Sequence, residues 1–582
     1  MPAAKTTFES ISIAIVGSGG AGAITAGSII LEAAGKAGCY GIMNRSVGPQ
    51  IRGGEAAALV RLANQPVNCM AESYDLLVAI DWNNAERFAA EMPLTENGLV
   101  ICDPDRGPVP DIISQTGVQI VEVGLKAIAE NITGGRENMV ALGLAAGFIG
   151  LPVEAILDVI TSKLSSKGEE AVTAGRQCVE AGMQQTKQHS RHFGSELSSA
   201  QDEGRWLITG NEAVGLGAVR GGVRFAAAYP ITPATEVLEW LAPALAKIGG
   251  ALVQAEDELS SINMTIGASY GGRASITATS GPGLALMVES IGLAAASEVP
   301  LVIVDVMRGG PSTGIPTKSE QSDLNIAIYG CHGDAPHIVV APLSVADCLF
   351  TGQWAIHLAE AMQVPTIVLS DQSLGQARVL IDKPANIAFL ANRKTYEPQQ
   401  EDETYNRYAL TADGISPMAI PGTPGGQYTA DGLTHNIKGT PSSKNTDHQN
   451  QHDKRHNKIA NFDYGNHWAE VEGDADCDTV ILTWGSITGA AREAITRLEG
   501  DGIKARLVAM RLLAPFPKDK FLASLKGATR ILIVEQTHSG QFHQYLRAQC
   551  DLPGQIKHFH RPGPHTIGPK EICDQIHDWT IS

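Results

Sequence analysis

Four residues with reactive side chains each follow a short apolar run: Thr232, Glu256, Ser280 and Arg308. A hydroxyl, a carboxylate, a second hydroxyl and a guanidinium can between them take and give a proton and bind oxygen anions. Arg224 to Ala228 (RFAAA) leads into Tyr229-Pro-Ile-Thr-Pro-Ala-Thr-Glu236, and Gly250 to Gln254 leads to Glu256. Arg273 to Ala278 leads into Thr279-Ser-Gly-Pro-Gly283, and Leu301 to Val306 into the glycine- and proline-rich stretch 308–317. Each run reads as a strand followed by a helical pattern, so the order repeats as βα and predicts a parallel sheet. Ligands of such sheets sit beyond the carboxyl ends of the strands, where all four residues would converge. Thr232 before Pro233 reads as the N-cap and first residue of a helix over 234–247. Its free N–H groups and positive dipole end would face the same place.

The chain of 582 residues is too long for one core and predicts roughly three to five domains. Its 43% hydrophobic and 18% charged content is globular, and a formal net charge of −18 argues against nucleic-acid binding. No run of about 18 apolar residues occurs and no signal peptide opens the chain, so a soluble cytoplasmic protein without a membrane segment is expected. The nine cysteines are scattered, the closest pair seventeen positions apart, so a metal cluster held by this chain alone is not expected. If the protein passes electrons, another subunit must carry the metal.

Ile11 to Val16 reads as a strand running into Gly17-Ser-Gly-Gly-Ala-Gly22 and a small-residue helix over 23–35. Gly17, Gly19 and Gly22 fit the fingerprint that brings backbone close to a pyrophosphate. The acid an NAD site needs after the next strand is missing, since Cys39 to Met43 ends in Asn44-Arg45. Another phosphate-bearing ligand stays open, as does plain helix packing. A glycine-rich loop over 47–55 with Arg52 follows. The predicted domains are 1–183, a polar linker over 184–204, 205–391, an extended polar loop over 392–470 suited to a subunit contact, and 475–582. On that loop His448, His452 and His456 are four apart, as metal ligands or as an exposed tract. In the last domain Gly500-Asp-Gly502 imitates the start of a thiamine Mg-diphosphate motif, but no Asn follows Asn466. The diphosphate end of any thiamine cofactor must then be held elsewhere.

YPITPATE at 229–236, QAEDELSSINMTIGASYGGRASITATSGPG at 254–283 and RGGPSTGIPTKSEQSDL at 308–324 resemble the alpha subunit of the thiamine-diphosphate-dependent 2-oxoacid:ferredoxin oxidoreductases. GSGGAG and VGPQIRGGE resemble the gamma subunit of the same enzymes, here fused ahead of alpha. The C-terminal domain resembles the transketolase-C-like domain that closes alpha. HGDAP at 332–336 and the fused gamma domain look most like the 2-oxoglutarate enzymes, with pyruvate or branched-chain 2-oxoacid enzymes as the alternative. The fold implied is α/β, with three parallel-sheet domains: gamma-type Rossmann-like, thiamine pyrimidine-binding and transketolase C-terminal-like.

The resemblance implies an (alpha-beta)2 heterotetramer in which beta supplies Mg²⁺, the rest of the thiamine diphosphate site and a [4Fe-4S] cluster. Ferredoxin takes the electrons and coenzyme A the acyl group, giving succinyl-CoA and CO₂ from 2-oxoglutarate. With reduced ferredoxin the same site can carboxylate succinyl-CoA, the reductive direction of the TCA cycle. Glu256 stands at the position of the carboxylate that hydrogen-bonds the cofactor's pyrimidine nitrogen, a role that needs apolar surroundings. Tyr229, Pro230, Ile231, Thr232, Ser280 and Gly281 are the implied cofactor contacts. Arg308, by its planar fork, and Thr232, by its hydroxyl and helix N-terminus, are implied for the 2-oxoacid. Gly17, Gly19, Gly22 and Arg52 are candidates for the phosphates of coenzyme A. Two readings from other classes compete: a non-catalytic scaffold subunit, and an NAD(P) enzyme built on Gly17 to Gly22.

Overall fold

Apolar runs bounded by glycine and proline turns form twenty strands and the helices between them in the computed structural model, which describes residues 10–47, 55–83, 91–189, 193, 204–398 and 405–581. They divide into two compact units, Met1–Thr209 with Gln376–Ala385, and Gly210–Gly375 with Asn386–Ser582. No helix among the described residues is long and apolar enough to cross a membrane.

The first unit is built on an eight-stranded sheet in the order Gln119–Glu122, Leu94–Cys102, Tyr74–Ala79, Ser10–Ser18, Glu55–Ala63, Tyr40–Val47, Arg378–Ile381, Trp206–Thr209. Ser10–Ser18 pairs parallel with Tyr74–Ala79 but antiparallel with Glu55–Ala63, so this sheet is mixed where a wholly parallel one was expected. The reason lies in chain length: a parallel connection needs a dozen or more residues, and residues 48–54 are too few. The last two strands, antiparallel to their neighbours, come from segments that the sequence placed in the second domain. Four residues each, they are too short to carry a readable period. The expected linker also starts later, because the helix Glu169–Thr186 runs on to a buried Thr186. That helix crosses the helix Glu137–Phe148 at bare glycines: a Cβ on Gly143 would lie 2.2 Å from the Val179 carbonyl oxygen. Glycine there permits backbone contact that any side chain would block.

The second unit contains two sheets. A seven-stranded one runs Leu512–Ala514, Ile338–Val340, Pro365–Asp371, Leu301–Met307, Ser275–Thr279, Phe225–Ala228, Ala251–Gln254. Only Leu512–Ala514, lent by the C-terminal region, is antiparallel. Leu301–Met307 and Pro365–Asp371 are buried along their whole length, as central strands covered on both faces must be. The five-stranded sheet runs Ala469–Gly473, Arg506–Met510, Thr479–Trp484, Arg530–Glu535, Gln555–His560, again parallel except for the first strand.

The polar segment before that sheet is held on its own unit by buried ions. The helix Asn445–Ala460 turns Lys454 and Lys458, one turn apart, onto Glu298, at 2.5 and 2.9 Å. Arg407 Nη2 donates to the Glu298 carbonyl at 2.8 Å. All four side chains are buried. The face carrying His448 and His456 is the exposed one, in line with the reading of these histidines as an exposed tract. Burial alone would raise the Glu298 carboxyl, but Lys458, Lys454 and Arg407 override it and hold it far below the usual carboxylate range. A depressed acid stabilises the fold above its unfolded pKa, about 4.3 for Glu, and the contribution fades as pH falls from there toward the native value. Glu298→Gln leaves two buried ammonium groups facing a neutral amide. It should cost about 3–5 kcal/mol at neutral pH, read from the shift in the urea unfolding midpoint, with the difference shrinking below about pH 4. An unchanged midpoint would refute the pin.

Candidate active site at the strand ends

Because the four strands Leu301–Met307, Ser275–Thr279, Phe225–Ala228 and Ala251–Gln254 are parallel neighbours, their carboxyl ends lie side by side about 4.8 Å apart. The residues that follow them, Arg308, Ser280, Tyr229 to Thr232 and Glu256, therefore form a row in that order along one edge of one sheet. The sequence expectation of a common mouth holds for these strand ends.

The second expectation, a helix capped by Thr232, does not. The helix begins at Thr235, and the Ile231 carbonyl accepts from Ala234 N–H at 2.8 Å and Thr235 N–H at 3.0 Å. The Thr232–Pro233 peptide is cis, and Thr232 is exposed. Its carbonyl oxygen, rather than its hydroxyl, has the notable partner: Arg308 Nη1 donates to it at 2.6 Å. Arg308 is itself almost wholly buried, and its Nε has no partner among the described residues. Burial pulls the guanidinium below its ordinary value, with the nearby Asp323 acting against the shift.

Glu256 ends the edge strand and is exposed. The tie that places it is Ala255 N–H to the Ala228 carbonyl, 3.0 Å. Asp257 is the N-cap of the next helix, its Oδ1 accepting from Ser260 N–H at 2.6 Å, and Glu258 turns inward against Gly283. These two acids are thus occupied with the helix start. The apolar surroundings expected for Glu256 are not made by this unit alone. Instead Tyr229, Val253, Leu259 and Met264 present exposed apolar surface around the strand end.

Ser280 is fully buried and its Oγ has no partner among the described residues, although it stands at the N-cap of the helix Gly281–Ser297. Gly281 is small for a visible reason, since a Cβ there would lie 2.6 Å from Asp323 Oδ2. Pro230 and Ile231 are half-buried beside Tyr229.

The loop after Arg308 is closed by Gly309 N–H to Lys318 O at 3.1 Å and Ile315 N–H to Gly309 O at 2.8 Å. Its return is clamped from the C-terminal sheet. Gln321 N–H donates to the Gln536 carbonyl at 2.9 Å, Gln536 N–H returns a bond to Gln321 Oε1 at 2.8 Å, and Gln321 Nε2 reaches the Trp484 carbonyl at 2.9 Å. Gln541 Nε2 donates to Ser322 O at 2.8 Å. Sequence reasoning missed this clamp. Its only signal was the polar turn 535–541, whose partners lie more than two hundred residues earlier.

Family profiles described as "Pyruvate ferredoxin/flavodoxin oxidoreductase" and "Pyruvate flavodoxin/ferredoxin oxidoreductase, thiamine diP-bdg" match residues 12–185 and 216–454, and "Transketolase, C-terminal domain" matches 468–550. A 2-oxoacid:ferredoxin oxidoreductase alpha subunit from Sulfolobus sp is 30% identical over 91% of this chain and 91% of its own length. The chain belongs to the 2-oxoacid:ferredoxin oxidoreductases, as an alpha subunit. The 2-oxoglutarate synthase subunit KorA of Methanothermobacter marburgensis is 34% identical over 64% of this alpha subunit and 98% of that protein. The solved 2-oxoglutarate:ferredoxin oxidoreductase of Magnetococcus marinus, with 2-oxoglutarate, coenzyme A and succinyl-CoA bound, is 36% identical with a TM-score of 0.91, covering 98% of this chain and 99% of that one. This alpha subunit is part of an oxidoreductase, and its middle domain is of the thiamine-diphosphate-binding type.

In the first unit of this alpha subunit the glycine loop is partly spoken for. Ser18 N–H and Oγ both bond the Asp81 carboxylate, at 3.0 and 2.8 Å. A carboxylate thus sits on the N–H group nearest Gly17. Gly22 has φ 90°, and a Cβ there would meet Asn138 Nδ2 at 2.4 Å, so this glycine serves the turn and the helix contact. Gly20 and Gly22, rather than Gly17 and Gly19, border a cleft of about 1980 Å³ whose lining mixes four bases, Arg106, Lys126, Arg136 and Lys167, with six acids, Arg106 being paired with Glu137 and Lys126 with Glu130. Arg52 lies outside the described residues.

Proposed function

We propose that this alpha subunit, with a beta partner, oxidatively decarboxylates 2-oxoglutarate to succinyl-CoA and CO₂ and passes the electrons singly to ferredoxin in the cytoplasm. The observation that carries the reading is end-to-end likeness to the Magnetococcus marinus enzyme, together with the row of strand-end groups. Those groups suit a bound thiamine: an open carboxylate at Glu256 on the sheet edge, and the buried, unpartnered Ser280 hydroxyl two strands away, past Tyr229 to Thr232. Glu256, Tyr229, Pro230, Ile231, Ser280 and Gly281 would hold the pyrimidine half, and the cofactor when bound would supply the nucleophilic carbon that adds to the oxoacid's ketone. Glu256 keeps a proton on the pyrimidine nitrogen, provided another chain covers the exposed apolar surface around it and excludes water. Arg308 binds the substrate carboxylate by its free Nε edge while Nη1 holds the Thr232 backbone in place. The beta chain brings Mg²⁺, the diphosphate site and the [4Fe-4S] cluster. Coenzyme A phosphates would meet Arg136 and Lys167 in the cleft by Gly20 and Gly22. The test is co-purification with the beta chain and coenzyme-A-dependent viologen reduction with 2-oxoglutarate, pyruvate and 2-oxoisovalerate in parallel. The fastest rate is expected with 2-oxoglutarate. A best rate with pyruvate would overturn the substrate.

A further inference from the structure

Behind Arg308 lies a second acidic group for which the reaction as described has no use. Asp305, fully buried on the strand Leu301–Met307, faces the carboxyl of Asp323, which lies on the returning loop and is half-buried, with its Oδ2 shut off from solvent. Among the described residues no N–H or O–H group donates to either Asp305 oxygen. Two carboxylates held against each other, one of them fully buried without a donor, repel unless they share at least one proton. The pair is wired to the substrate arginine: Ser322 Oγ lies 3.0 Å from the Arg308 carbonyl and 3.2 Å from Asp323 Oδ1. On the far side, Asp323 Oδ2 abuts Gly281, the first residue of the helix beside Ser280.

We infer that Asp305 and Asp323 act as one acid behind Arg308, and that the charge of this pair sets how strongly the guanidinium presents itself to the carboxylate of the oxoacid. Both are positioning residues, and the inference rests on the reading of Arg308 as the substrate's ligand. Asp323 is faced by Asp305 and Arg308 from the strand and its end, and by Ser322 and Glu320 from its own loop. His538, from the C-terminal sheet, faces Glu320, and Gln541 holds the Ser322 carbonyl. The helix Gly281–Ser297 brings no acid in its first turn, and the neighbouring helix turns Glu258 against Gly283. Burial, then the Asp323 carboxyl, raises Asp305 well above the carboxylate range, so it keeps its proton. Burial raises Asp323 to about 6, opposed by the Ser322 hydroxyl and the Arg308 charge. Above that pH the pair carries one negative charge that competes with the substrate for Arg308. Below it the pair is neutral and Arg308 is left for the substrate.

The experiment uses the assembled alpha-beta complex with saturating coenzyme A and measures KM for the oxoacid across the interval from about pH 5 to pH 8. In the parent, KM should rise as pH passes about 6. Asp323→Asn should flatten that limb and lower KM at the alkaline end on the order of tenfold, as expected for removing one nearby charge in a partly desolvated site, with kcat nearly unchanged. Asp305→Asn, which removes the other half of the pair, should shift the same limb. Infrared difference spectra should show a protonated buried carboxyl in the parent that changes in both variants, a readout independent of turnover. A limb that persists unaltered in both variants, or KM and kcat worsening together without an infrared change, would overturn the inference. A parent complex that turns over no 2-oxoacid would instead sink the proposed function before any variant is made.

Discussion

Glu256→Gln in the alpha-beta complex should lower turnover by about 10²- to 10⁴-fold, the range that one positioned proton-handling group contributes. The side chain is exposed on an edge strand, so the amide should cost the fold little. Loss of activity would therefore report chemistry rather than unfolding, which a matched urea midpoint checks. Glutamine keeps the size and one hydrogen-bond acceptor but cannot share a proton with the pyrimidine nitrogen. The neighbour supplies the control: Asp257→Asn touches an exposed N-cap where asparagine caps as well as aspartate, should cost the fold little, and should leave turnover near the parent value. Near-parental turnover of Glu256→Gln would remove this residue from the mechanism.

Arg308→Lys should reduce kcat/KM for the oxoacid by about 10- to 150-fold, the rate equivalent of one charge-assisted hydrogen bond of about 1.5–3 kcal/mol. Lysine keeps the charge but has no planar fork, so it cannot hold the Thr232 carbonyl and a carboxylate in the fixed geometry that one guanidinium offers. Most of the loss should fall in KM if Arg308 mainly binds the substrate. A loss confined to kcat would show that its bond to Thr232, and hence the Tyr229 to Thr232 turn, is the part that matters. Normal kinetics would exclude Arg308 from substrate binding.

The order of strands and the identity of the residues that follow them were legible in the chain because both are local. A βα repeat is written in successive apolar runs, and the runs before Thr232, Glu256, Ser280 and Arg308 all became neighbouring parallel strands. The cap on Thr232 was misread because Thr-Pro is a common helix start, while here a turn closed on the Ile231 carbonyl carries the chain on to Thr235. The strands Trp206–Thr209 and Arg378–Ile381 were not read as strands, and their residues were placed in the second domain, because pairing is decided by which edge is open and a four-residue period says nothing of that. The segment before the C-terminal sheet looked unable to bury itself. Its lysines do so only because Glu298, more than a hundred and fifty residues earlier, waits for them.

By itself the sequence determined the family, the three α/β domains and the row of a guanidinium, a hydroxyl and a carboxylate along one sheet edge, since each depends on residues adjacent in the chain. Only the tertiary structure decided which of those groups are buried and what faces them: Glu256 open on an edge, Arg308 sealed against Thr232, Asp305 set against Asp323, and Gln321 locked to Gln536. Burial and charge are sums over neighbours from distant parts of the chain, and no local pattern of residue types contains them.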